Sequence, residues 1–178
     1  MEENKIIREL IMSFSSEKIC CFTGNRPQKL PWGNNEQSNE CRTVKAKMRE
    51  EIIKLYEIGY QLFVCGMALG ADMYFAEEVL KLRGEGFKIF LECAVPFSGQ
   101  DRNFSTQEKQ RYKIILEQAD LITVVSQTYT PWCMHKRNAY MVDKSSAIIS
   151  LSYQQNGGSA STLERAKSKK LKIIELNQ

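Results

Sequence analysis

The sequence has a single histidine, no cysteines spaced Cys-x-x-Cys, no long apolar run and little net charge. Each shortage excludes something. His135 and six cysteines at 20, 21, 41, 65, 93 and 133 offer neither zinc-ligand spacing nor a disulfide framework. Cys20, Cys21, Cys65 and Cys93 fall in or beside apolar runs, where a thiol serves as a small hydrophobe. A structural role is therefore expected for them, and no metal or resident cofactor is read from these residues. No apolar stretch approaches the roughly 20 residues that span a bilayer. The short patch Leu10-Ile11-Met12 lacks the length and cleavage site of a signal peptide. The reading is a cytoplasmic chain with no membrane partner. A net charge of +4 is mild for 178 residues. The densest basic stretch, Lys167, Lys169, Lys170 and Lys172, lies at the expected end of a helix, where lysines complement the macrodipole. Nucleic acid is thus not the expected partner.

What is present is an alternation of strand and helix in an ordinary globular composition, 43% apolar and 26% charged. No repeat or linker divides it. Strands are expected at 18–23, 61–65, 87–93, 121–125, 147–151 and 171–176. Between the first two, Val44, Met48, Ile52 and Leu55 share a helix face that Gly59 ends. Phe75, Ala76, Val79 and Leu80 mark the next helix. Ser105 and Glu108 form a capping box ahead of Tyr112, Ile115, Leu116 and Ala119. Further helices are expected over 134–144 and 159–169. The strands read as continuous apolar runs, as a parallel sheet covered on both faces requires. The expected fold is α/β: Rossmann-like, doubly wound, with a mainly parallel sheet of about six strands flanked by helices. Residues 1–17 read as an arm or short helix, and 18–178 as a single nucleotide-binding domain.

Ligands of such sheets sit outside the carboxyl ends of the strands. After the first strand come Gly24 and Arg26, a tight turn with a guanidinium that could clamp a phosphate. After the second come Gly66, Gly70, Ala71 and Asp72, a turn that can bring backbone N–H groups to an anion at a helix start. Asp72 would repel a phosphate there, so it is read as a helix cap or an acceptor from a ribose hydroxyl. After the fifth come Gly157, Gly158, Ser159, Ser161 and Thr162, an oxyanion cradle or a set of helix caps. Arg137 shares a helix face with Met134 and Met141 and therefore needs a carboxylate or a bound phosphate. His135 is read as a surface residue.

These motifs resemble the SLOG superfamily of Rossmann-like proteins, most closely its YpsA-like branch, over nearly the whole chain after residue 17. The resemblance rests on Thr23-Gly24-x-Arg26-Pro27, on Gly66-x-x-x-Gly70-Ala71-Asp72, and on Val95-Pro96-Phe97 with Gln100 and Asn103-Phe104. It continues through Tyr129, Pro131, Asn138 and Met141 to Ser145, and ends at Gly157-Gly158-Ser159 with Thr162. It implies binding of a nucleotide or a nucleotide-derived ligand, and adds Pro96 and Asn138 to the candidate site. Met134-His135-Lys136-Arg137-Asn138-Ala139-Tyr140-Met141 and the Gly157–Glu164 segment also resemble the LOG phosphoribohydrolases. Counting from the glycine pair puts Glu164 at that family's catalytic glutamate, with Arg137 to orient it. Counting from Thr162 puts Arg165 there instead. The likeness to dimeric enzymes leaves a homodimer open. Three functions follow, in order: a nucleotide-binding or sensing module, a nucleoside 5′-monophosphate N-glycosidase, and DprA-like single-strand binding. For the third, Trp32, Tyr129 and Trp132 would supply stacking surfaces.

Overall fold

Each expected apolar run becomes a strand of one six-stranded, all-parallel sheet. The computed structural model describes residues 2–177, apart from the side chains of residues 2–5, 8 and 12. The strands are β1 (Ile19–Gly24), β2 (Leu62–Cys65), β3 (Phe90–Phe97), β4 (Leu121–Ser126), β5 (Ala147–Leu151) and β6 (Lys172–Glu175). Their spatial order is β4-β3-β2-β1-β5-β6. The chain thus winds outward from β1 to one edge, then returns to the other side of β1. That reversal places a crevice between the carboxyl ends of β1 and β5.

The helices are α1 (Glu2–Ser13), α2 (Asn39–Glu57), α3 (Ala71–Gly84), α4 (Thr106–Gln118), α5 (Cys133–Lys144) and α6 (Gly158–Ser168). One sheet face carries α2, α3 and α4, where Val44, Met48, Ile52 and Leu55 pack with Phe22, Phe63 and Phe75. The other carries α5, α6 and α1, where Met141, Val142, Leu163 and Ile11 pack with Cys21, Val64 and Ile148. Alternate residues of β1 therefore serve opposite cores, which is why this strand reads as an unbroken apolar run. Of the N-terminal patch, Ile11 is buried and Leu10 is exposed; the Met12 side chain lies outside the described residues. All six cysteines are free and buried. Ser105 and Glu108 close the capping box at α4.

Two expectations shift. The third strand begins at Phe90 rather than Phe87, because the Phe87 N–H closes the end of α3 on the Leu82 carbonyl at 3.2 Å. It then runs on through Pro96 to Phe97, which pairs with Ser126 of β4. And β4 is not an evenly buried strand: as a sheet edge it leaves Ile122 and Val124 exposed. Among the described residues no helix is long and apolar enough to cross a membrane, and no cluster of three metal-ligating side chains occurs.

Candidate functional site

At the β1/β5 crevice, turns from four parts of the chain enclose a chamber of about 160 Å³. The end of β1 contributes Gly24, Asn25, Arg26 and Lys29, and the start of α6 contributes Asn156, Gly158 and Ser159. Ala68 and Asp72 enter from the β2–α3 turn, and Met134, Arg137 and Asn138 from α5. Two hydrogen bonds hold the first two segments together. The Ser159 hydroxyl donates to the Gly24 carbonyl at 2.9 Å, and Asn25 Oδ1 accepts from the Tyr153 N–H at 2.7 Å. Arg26 and Lys29 are exposed, and no carboxylate pairs with either among the described residues. The open end of α6 adds its partial positive charge, so this rim welcomes an anion.

The chamber floor is internally paired. Arg137 is 5% exposed, donates to the Gly66 carbonyl through Nη1, and lies 3.8 Å from Asp72 Oδ2. Its Nε finds no partner. Burial pushes the Arg137 pKa down, and the Asp72 carboxylate acts against that. Asp72 accepts from the Ala68 N–H at 3.1 Å, so it caps its own turn. Burial raises its pKa, opposed by Arg137 and by that N–H. The turn's glycines answer to packing. A Cβ on Gly66 would overlap the Arg137 guanidinium, and one on Gly70 would come within 2.9 Å of Pro27 Cδ. Gly70 also has φ +87°, which a side chain would strain. Ala71 closes the same contact from the other side, against Gly24.

A second chamber of about 430 Å³ meets the first at Arg26, Ala68 and Met134. Its walls are Leu69, Phe97, Phe104 and Tyr129, with Arg102 and Asn103 from the turn that follows β3. The Phe97 and Tyr129 rings meet edge-on at 5.3 Å, and Tyr129 is 66% exposed. Gln100 lines this chamber too, but its amide donates to the Met67 carbonyl at 3.0 Å. Met67 is a buried non-glycine residue at φ +57°, so that bond steadies a left-handed turn.

The structure therefore brings Gly24, Arg26, Asp72, Arg137, Asn138, Gly158 and Ser159 to one chamber. Gly66, Gly70 and Ala71 stand behind it as packing contacts, and Pro96 is buried within β3. Gly157 precedes α6 at φ +99°, and a Cβ there would come within 3.1 Å of the Lys29 ammonium. Ser161 and Thr162 face a separate groove beside His135 and Arg165, and the Thr162 hydroxyl donates back to the Gly158 carbonyl at 2.7 Å. Glu164 is not brought to the chamber. It lines another depression with Tyr153 and Gln155, and pairs with Lys167 at 2.8 Å. Arg165 pairs with Asp143 at 2.6 Å. Asn25, Lys29, Phe97 and Arg102 were not singled out as site residues by sequence. Lys29 could have been, since it follows the Gly24–Arg26 turn at the same sheet edge; the aromatic wall required knowing that β3 and β4 are neighbours.

Comparisons with known proteins agree with this architecture. The model of the YspA SLOG family matches residues 20–175. The UPF0398 protein of Bacillus pumilus (strain SAFR-032) is 27% identical over 144 residues, covering 80% of this chain and 77% of that protein. The UPF0398 protein of Bacillus cereus (strain ATCC 14579) is 25% identical over 159 residues, 88% of this chain and 85% of its own. Among solved structures, DNA processing protein A from Streptococcus pneumoniae superposes with a TM-score of 0.61 at 15% identity. That from Helicobacter pylori, described by its single-stranded DNA binding mode, gives 0.58 at 17%. This chain spans 50% and 65% of those two proteins, which themselves match 89% and 90% of it, so the likeness is one of fold. The family model's match from β1 to β6 decides the identity: the chain belongs to the YspA SLOG family.

Proposed function

We propose that this protein binds a nucleotide, with the phosphate in the smaller chamber and the base in the larger one. The observation that carries this reading is the adjacency of the two chambers. A cation-rimmed cavity at a helix start shares Arg26, Ala68 and Met134 as a common wall with a cavity lined by aromatic rings. A nucleotide has the same division, an anion at one end and a flat π-surface at the other. The Arg137–Asp72 pair is a neutral floor under the phosphate, which removes the repulsion that an unpaired Asp72 would exert.

Binding without turnover is the better-supported form of the reading. N-glycosidic cleavage needs a carboxylate at the sugar, and Glu164 lies in another depression, 71% exposed. The test is thermal unfolding in the presence of ribose 5-phosphate and of nucleoside 5′-monophosphates. A ligand at 100 times its Kd stabilises by about 2.7 kcal/mol, and Lys29→Ala should reduce that shift. No shift with any of these compounds would overturn the reading.

A second reading, single-strand nucleic-acid binding, draws on Tyr129 and Trp132. Both are 66% exposed, and Trp132 sits 5.9 Å from the His135 ring. Such platforms stack successive bases. Oligonucleotide binding that weakens steeply with salt would support it.

A further inference from the structure

Resting on the nucleotide reading, the larger chamber also carries information about which base it accepts. Its polar groups are strongly one-sided. Arg26 and Arg102 each present a fork of N–H donors, and neither forms an ion pair within 4 Å among the described residues, although Arg26 lies close enough to Asp72 to help hold that carboxylate's pKa down. No aspartate or glutamate lines the cavity. The Gln100 side chain, which could have offered an acceptor, is committed: its amide nitrogen holds the Met67 carbonyl, and its oxygen faces the Tyr112 hydroxyl at 3.5 Å. Asn103 is the one uncommitted side-chain amide in the wall, and it can turn either way.

A base placed against the exposed Tyr129 ring would therefore meet donors and very few acceptors. Guanine and hypoxanthine present two acceptors, O6 and N7, along one edge, a pattern that an arginine fork matches. Adenine presents an amino group where these bases have O6. In this chamber that N–H would face an arginine donor instead of an acceptor, and would lose the favourable contact that O6 makes there. The same contrast holds between uracil, with a carbonyl at position 4, and cytosine, with an amino group there.

We infer that the larger chamber selects bases with a carbonyl at purine position 6 or pyrimidine position 4 over bases with an amino group at that position. Arg102 is the residue that discriminates between them. Tyr129 supplies stacking, which every base has in common.

The experiment is calorimetric titration of the full chain with GMP, IMP, AMP, UMP, CMP and ribose 5-phosphate. GMP and IMP should bind at least about tenfold more tightly than AMP, and UMP more tightly than CMP, the scale of one good arginine–base contact. Arg102→Met, which keeps the apolar stem and removes the donors, should bring GMP and AMP within about twofold of each other. Tyr129→Ala should weaken all the nucleotides by a similar factor and preserve their order. Affinity for AMP equal to or above that for GMP would overturn the base selection while leaving the nucleotide reading standing, provided that nucleotides bind. Failure of all six compounds to bind would remove that reading, and the selection with it. Selection that survives in Arg102→Met would overturn the role given to that residue.

Discussion

The two glycine-bearing turns at the carboxyl edge look alike in sequence and behave differently in the fold. At Gly66 to Gly70 every special feature is answered from within. The Gly66 carbonyl takes Arg137, the Ala68 N–H goes to Asp72, and Gly70 leaves room for Pro27. At Gly157 and Gly158 the surroundings are open. A Cβ on Gly158 would meet nothing within 4 Å, and one on Gly157 only the tip of Lys29. The first turn is framework, and the second is left open, as the proposed site requires. A pair of glycines thus signals close approach of something, and only the neighbours reveal whether it is protein or ligand.

The largest expected effect comes from breaking the framework turn. Gly66→Ala should cost about 3 kcal/mol in chemical denaturation, because the new methyl overlaps the buried guanidinium and cannot be relieved by a surface movement. Arg137→Met should cost about 3–5 kcal/mol in the same measurement, since it leaves the Asp72 carboxylate buried without its cation. If either variant keeps wild-type stability, the first turn is not framework.

In the site turn, the sign of the comparison reverses. Gly158→Ala should change stability by less than about 0.5 kcal/mol and weaken nucleotide binding roughly tenfold by calorimetry, because the new methyl would stand in the open space proposed for the phosphate. The smallest effect concerns the segment that carries Arg26 and Lys29. Glu36, farther along it, is bound by Arg111 and Lys45. Burial alone would raise its pKa, but hydrogen bonds from those two cations outweigh burial and hold it below its ordinary 4.5. A lowered carboxylate gives its full stabilisation above 4.5 and loses it as the pH falls through the depressed value. The stability gap between wild type and Glu36→Gln, discounted for partial exposure to under about 1 kcal/mol, should therefore narrow on acidification from pH 7.

Strand positions were legible because a parallel sheet buried on both faces demands unbroken apolar runs, as in β1 and β5. Their spatial order was not, and the aromatic wall depends on it, since Phe97 and Tyr129 meet only because β3 pairs with β4. Arg137 was recognisable as a buried-side cation, but the sequence left its partner open between a carboxylate and a phosphate. The structure sets the Asp72 carboxylate 3.8 Å from Arg137. Glu164 was assigned by motif counting, whereas helix periodicity was available as a guide. With about 3.6 residues per turn, burial of Thr162, Leu163 and Ala166 turns Glu164 outward, away from the side where Ser159 meets Gly24. The resemblance to LOG enzymes compares residue types along the chain and takes no account of that rotation.

The central claim is that the opening at α6 receives the phosphate. Backbone amide chemical shifts of the full chain, followed during titration with GMP, test it most directly. The account predicts saturable shifts at Gly158, Ser159 and Asn25, clearly larger than those at Gly66 and Gly70, with Phe97 and Tyr129 responding to the base. Shifts confined to residues outside both chambers, or a spectrum that GMP leaves unaltered, would contradict it.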